Sequence, residues 1–224
     1  MTMKKTVATF LWAAMILVGT ARALSPAAAL EGLWTARLTE DKIQLRLSVF
    51  EEEGRSGEWN TSVTVDRRDV TGLRMDQEHT FELKREAGTL SFTGKFTGNR
   101  GSGSFEFVPN REFIETLGRK GYGKITDDKM IFLCLTDINL GYINDLERLG
   151  FTEISTSRLV DLGIHRVTAE YIKDMQSVGL RNLSVAKLLE FKIHGVDRDY
   201  VQGLKAAGYA DVSPAELLEL RMGG

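Results

Sequence analysis

Only one cysteine, Cys134, occurs in the 224 residues, so no disulfide can close within the chain and stability must come from apolar burial. It lies inside Met130-Ile131-Phe132-Leu133-Cys134-Leu135, where a small buried side chain is the plain expectation. No electropositive neighbour marks the thiol for chemistry. Histidine is nearly as scarce, with His79, His165 and His194 alone. There is no His-Glu-x-x-His, and neither His165 nor His194 has a second histidine one helical turn further on. Ligands of one ion sit within about 4 Å of each other through the metal, whereas equivalent residues of stacked helices lie about 8–10 Å apart. The two histidines therefore read as helix-end residues, where an imidazolium is favoured, and no metal or other cofactor is expected. A Gly-rich phosphate loop between strand and helix is missing, and no Ser/His/Asp set can be assembled. The acidic runs Asp127-Asp128 and Glu51-Glu52-Glu53 lack the alternating oxygen ligands and central glycine of a calcium loop. No catalytic residue is assigned, and enzymatic activity is not expected. Excess positive charge is also missing, with 29 Lys and Arg against 31 Asp and Glu, which argues against a nucleic-acid partner.

The chain has one extended apolar run, at its start. Lys4 and Lys5 precede an apolar stretch from Val7 to Gly19, followed by Ala21-Arg22-Ala23. This is the pattern of a secretory signal peptide cut after Ala23, and the run is shorter than the ~20 residues a bilayer span needs. No cysteine stands near the cut, so a lipid anchor is not expected. Removing Lys4, Lys5 and Arg22 leaves 26 basic against 31 acidic residues, a balance of −5. The expected location is periplasmic or secreted, with no stable membrane span after cleavage and with Leu24 to Ala29 as a short tether.

What is present divides the chain by hydrophobic period. Residues 24–108 alternate: Ile43, Leu45, Leu47 and Val49 are separated by Lys42, Gln44, Arg46 and Ser48, which predicts strands with one buried face. The same pattern recurs in Trp34 to Leu38, Trp59 to Val65, Phe81 to Leu83, Leu90 to Phe96 and Phe105 to Phe107. These are six strands, with one more short strand around Val70 to Leu73. Glu53 to Gly57, Glu86-Ala87-Gly88 and Gly98 to Gly101 supply glycines for hairpin turns. The expectation is a small antiparallel β barrel or sandwich with Trp34, Phe92, Phe96, Phe105 and Phe107 inside.

At Pro109-Asn110 the period changes to helical, and residues 109–224 carry an internal repeat. Ser155, Ser184 and Ser213 recur every 29 residues, as do Leu159, Leu188 and Leu217, and Gly150, Gly179 and Gly208. One helix type has an Asn, Thr or Asp cap (Asn110, Asn139, Thr168, Asp197) and a glycine stop. The other starts at Thr126, Ser155, Ser184 and Ser213. Eight helices of about ten residues cannot stand alone in water, so an all-α array stacked unit on unit is expected, giving an α+β chain. Few contacts are expected to cross the boundary at Pro109, which would make the two parts independent cooperative units.

Three stretches carry a resemblance: the Gly32-Leu33-Trp34 strand, FELKREAGTLSFTGKFTGNRGSGSFEFVPNREFI, and IHGVDRDYVQGLKAAGYADVSPAELLELRMGG. Together, over Glu31 to Met222, they resemble a family of uncharacterised bacterial exported proteins. They are also similar to the extracytoplasmic tails of some antirepressor-type, beta-lactam-sensor-like membrane zinc metallopeptidases, whose peptidase part and zinc motif this chain lacks. The resemblance implies a cell-envelope interaction or sensor-accessory module. Arg166 stands where the related copy has Gly195.

Two functions follow as expectations. In the first, the helical array binds a protein partner. The final helix ends the array without a polar cap, so Leu217, Leu218, Leu220 and Met222 form the candidate surface, for a partner or for a second copy in a homodimer. In the second, the Gly-x-Trp opening, which resembles that of lipocalin-type barrels, makes the β part a carrier of a small apolar ligand or lipid. Trp34, Phe92, Phe96 and Phe105 would then line its cavity.

Overall fold

The computed structural model describes residues 30–49, 59–209 and 212–223. The expected signal peptide, the tether, the Glu51-Glu52-Glu53 run and the Glu53 to Gly57 turn lie outside these residues. Among the described residues seven strands form one antiparallel sheet: β1 (Leu30–Leu38), β2 (Lys42–Val49), β3 (Trp59–Asp66), β4 (Val70–Thr71), β5 (Glu78–Arg85), β6 (Gly88–Thr97) and β7 (Arg100–Pro109). All six expected strands are present, and the short extra one is β4. The strand order is β3-β2-β1-β7-β6-β5-β4. Because β1 pairs with both β2 and β7, the meander curls back on itself into a half-barrel, an open form of the expected barrel. The strands β3 and β4, joined only by a single 3-10 turn at Arg67–Asp69, take the two free edges.

The alternating apolar residues meet inside this curl. Trp34 is 1% exposed, meets Phe81 edge-on at 5.2 Å, and lies 5.3 Å from Phe96. Phe81 stacks on Phe92 at 4.9 Å. Large rings fit because β6 and β7 are drawn together at Gly94 and Gly103, which face each other in register. A Cβ on Gly103 would lie 2.0 Å from the Thr93 carbonyl oxygen, and one on Gly94 would lie 2.9 Å from Cζ2 of Trp34.

Eight helices follow: α1 (Arg111–Arg119), α2 (Asp127–Leu135), α3 (Leu140–Arg148), α4 (Thr156–Ile164), α5 (Ala169–Ser177), α6 (Val185–Ile193), α7 (Arg198–Ala206) and α8 (Pro214–Gly223). The odd-numbered series begins at 111, 140, 169 and 198, and the even-numbered series at 127, 156, 185 and 214. Asn110, Asn139, Thr168 and Asp197 each accept first-turn amide hydrogen bonds, as expected. Ser155 and Ser184 do the same, and Ser213 exchanges bonds reciprocally with Glu216. Thr126 differs from expectation, since its hydroxyl makes no cap bond. The carboxylates of Asp127 and Asp128 stand in that first turn, where they favour the positive end of the helix dipole. Gly150, Gly179 and Gly208 stop their helices at φ of 95°, 97° and 99°. Such a left-handed conformation suits glycine.

The sheet and the helices share one apolar core, which continues across the boundary expected at Pro109. The reason is α2, on which Met130, Ile131, Leu133, Cys134 and Leu135 are all buried. A helix apolar on all sides has to be covered on all sides, and α2 lies between β6 and β7 on one flank and α4 on another. Trp59 and Phe132 pack at 5.2 Å. Glu86, in the β5–β6 turn, accepts the Leu140 amide at the start of α3. Among the described residues no helix is long and apolar enough to cross a membrane.

Candidate functional site

A groove of about 910 Å³ runs between the free edge of β3 and the helices. One wall is Thr61 to Asp66, and the other is built from the ends and turns of α2, α3, α4 and α5, including Leu135, Tyr142, Leu162, Ile164 and Glu170.

The main-chain geometry of β3 follows from two hydrogen bonds. Just past the strand, Arg67 N–H donates to the Asp41 carbonyl at 2.8 Å, so residues of odd number turn their N–H and C=O toward β2. The Thr64 carbonyl instead accepts from Nη2 of Arg166 at 3.1 Å, so residues of even number turn theirs into the groove. Asn60, Ser62, Thr64 and Asp66 thus present main-chain donors and acceptors along an edge that pairs with no other strand among the described residues. Arg166 reaches them from a backbone at φ 53°.

The floor is held by charge. Arg85, its side chain 10% exposed, binds Asp69 at 2.6 Å and Asp137 at 2.7 Å, tying the β5 strand to the linker before β4 and to the turn after α2. Lys42 hydrogen-bonds Asp66 and holds its carboxyl below the usual carboxylate range. Sequence reasoning missed Arg85, Arg166 and the β3 edge. The one local sign was Arg166 in place of a glycine.

The residues expected to form sites fall elsewhere. Trp34, Phe92, Phe96 and Phe105 do come together, but ring against ring in the sheet core and away from the groove. Leu217 and Leu218 are 2% and 3% exposed. The expectation that Leu218 is an uncovered contact is therefore corrected: α8 turns both leucines inward, as α6 turns Leu188 and Leu189. Leu220 and Met222 remain exposed. His165 and His194 occupy C-caps of α4 and α6, both exposed. Among the described residues no three His, Cys, Asp or Glu side chains converge as a metal site. Cys134 is buried, with its Sγ 3.5 Å from the Gly88 carbonyl, and burial pushes its thiol up to about 12.

Ile164, Ile193 and Met222 hold the same place at the ends of α4, α6 and α8 and are 49%, 56% and 58% exposed. They form a series of apolar side chains that begins at the groove, where Ile164 is part of the wall.

Comparison of the chain with protein-family models, with curated proteins and with solved structures finds no match.

Proposed function

We propose that this is an exported cell-envelope module that binds another protein and performs no chemistry, with its helices forming a four-unit array on a 29-residue repeat. The observation that carries the reading is the recurrence of exposed Ile164, Ile193 and Met222 at one position of successive even-numbered helices. Exposed apolar side chains that recur at one position of successive units offer a partner regularly spaced anchors. The repeat itself is supported by equivalent bonds between units. Tyr142 and Tyr171, 29 residues apart, donate to the carbonyls of Val167 and Val196. Lys192 lies over the ring of Tyr171 and Arg221 over that of Tyr200. Repeat arrays supply extended surfaces of this kind. The ring-on-ring filling around Trp34 favours a binding module over a carrier, which would need room for its ligand. The resemblance read from the sequence, to extracytoplasmic tails of antirepressor-type membrane peptidases, would imply the same role.

The test is affinity capture with the mature protein from the envelope of the cell that makes it. A bound protein lost with Ile164→Lys/Ile193→Lys supports the reading, and equal capture by both proteins refutes it. Cell fractionation and N-terminal sequencing of the secreted chain test export and cleavage after Ala23.

A further inference from the structure

From the edge geometry we infer that the groove beside β3 takes up an extended segment of the partner polypeptide, which adds as a strand to the sheet. The inference rests on the protein-binding reading and specifies where and in what form the partner docks. A strand edge identifies its occupant by hydrogen-bond complementarity, because only another extended main chain offers donors and acceptors at the spacing of a residue pair. Natural sheets normally cover, shorten or charge such edges. Here β4, the other edge, has two residues, whereas β3 has eight.

The covering of β3 is partial. Among the described residues one side chain, Arg166, caps the Thr64 carbonyl from an exposed position, while Ser62, next in phase along the edge, is exposed. The groove walled by Thr61 to Asp66 holds a strand of about six residues, some 20 Å at ~3.3 Å per residue. Side chains on the inner face of such a strand would continue the row of Val63 and Val65 and meet Leu135 and Leu162, which calls for apolar residues at alternate positions.

Charge adds a further requirement. The lining carries Asp66, Asp69, Asp137, Asp145 and Glu170 against Arg68, Arg85 and Arg166. Arg85 is shared by two of the carboxylates, while Lys42 and Arg148 pair Asp66 and Asp145 from outside the groove. Glu170, exposed in the first turn of α5, has no ion pair among the described residues, so it is the lining carboxylate open to a Lys or Arg of the occupant.

The probe is a phage-displayed library of random decapeptides panned on the full mature chain, with the enriched peptide then synthesised. The expected peptide has alternating apolar residues and a basic side chain. Ser62→Pro removes an edge N–H that β2 does not use, a substitution an edge strand tolerates, and should weaken binding about tenfold while circular dichroism stays unchanged. Methylation of alternate peptide nitrogens removes the same bonds from the ligand side and should do as much without touching the fold. Replacing the peptide's basic residue by Glu should abolish binding to the wild type and be rescued by Glu170→Lys. Arg166→Ala, which frees the Thr64 carbonyl, should tighten binding.

The inference is overturned if no peptide is enriched, or if binding survives both Ser62→Pro and nitrogen methylation. It is equally overturned if light scattering finds a dimer that Ser62→Pro dissolves, since the edge then belongs to a second copy. If Ile164→Lys/Ile193→Lys abolishes envelope capture while Ser62→Pro does not, this docking mode fails and the protein-binding reading stands.

Discussion

The hydroxyl of Tyr171 in α5 donates to the main-chain carbonyl of Val196 at 2.7 Å, joining the first turn of α5 to the residue just before Asp197, the cap of α7. Burial raises the Tyr171 hydroxyl above its ordinary range, which keeps it a donor. Tyr171→Phe leaves the carbonyl without its partner in a closed site and is expected to cost about 1–3 kcal/mol. Urea unfolding followed by circular dichroism measures this, and a loss below about 0.5 kcal/mol would mean that water replaces the bond.

Gly103→Ala is expected to destabilise the protein by about 1–3 kcal/mol or more, because the new methyl collides with the main chain of β6. Gly98, in the β6–β7 turn, has open space around it and a φ of 57°. Gly98→Ala should therefore cost only about 1 kcal/mol, the backbone penalty alone. Thermal melts of the two variants side by side test whether close strand approach, and not turn conformation, limits stability here.

Cys134 is expected to resist thiol reagents in the folded protein and to react once urea unfolds it, as absorbance titration with an aromatic disulfide will read directly. Burial raises the folded thiol to about 12, so the folded state holds this proton more tightly than the unfolded state does. Its contribution to stability is complete below about pH 9, the ordinary thiol value, and is lost as pH rises toward 12. Urea midpoints between pH 8 and 11 should begin to fall near pH 9 in the wild type. In Cys134→Ala they should fall only from about pH 10, where Tyr142 and Tyr171, both raised by burial, contribute.

Unfolding is expected to be one cooperative transition, with tryptophan fluorescence, which reports the sheet, and far-ultraviolet circular dichroism, which reports the helices, changing together. The shared core around α2 and the Arg85 ion pair to Asp137 bind the two parts. Residues 24–108 expressed alone should expose the surface that α2 covers and aggregate or remain unfolded. Two separated transitions would instead restore the independence suggested by the change of period at Pro109.

The parts of the fold legible in the sequence are those set by neighbours along the chain. Alternation from Ile43 to Val49 marked β2 because a pleated strand sends successive side chains to opposite faces. Asn139, Thr168 and Asp197 marked helix starts because a short polar side chain satisfies first-turn amides wherever it stands. Thr126 has the same chemistry and makes no such bond, which shows that the cap residue alone is not sufficient.

Tertiary structure alone decided which elements meet. The pairing of β1 with β7 leaves β3 and β4 as the edges, and strand order depends on closure between segments far apart, about which local alternation is silent. Leu218 reads as uncovered when its helix is taken last in a series, yet it is 3% exposed, because burial depends on the packing angle of α8 and not on its place in the chain. Arg166 and Thr64 stand 102 residues apart. Their bond, and the groove it crosses, exist only because the edge of the sheet and the turn after α4 are brought together in space. The sequence by itself determined the hydrophobic periods, the element boundaries and most of the caps, which depend on residues close together along the chain. The site arises from contacts between distant segments, whose geometry only the folded chain supplies.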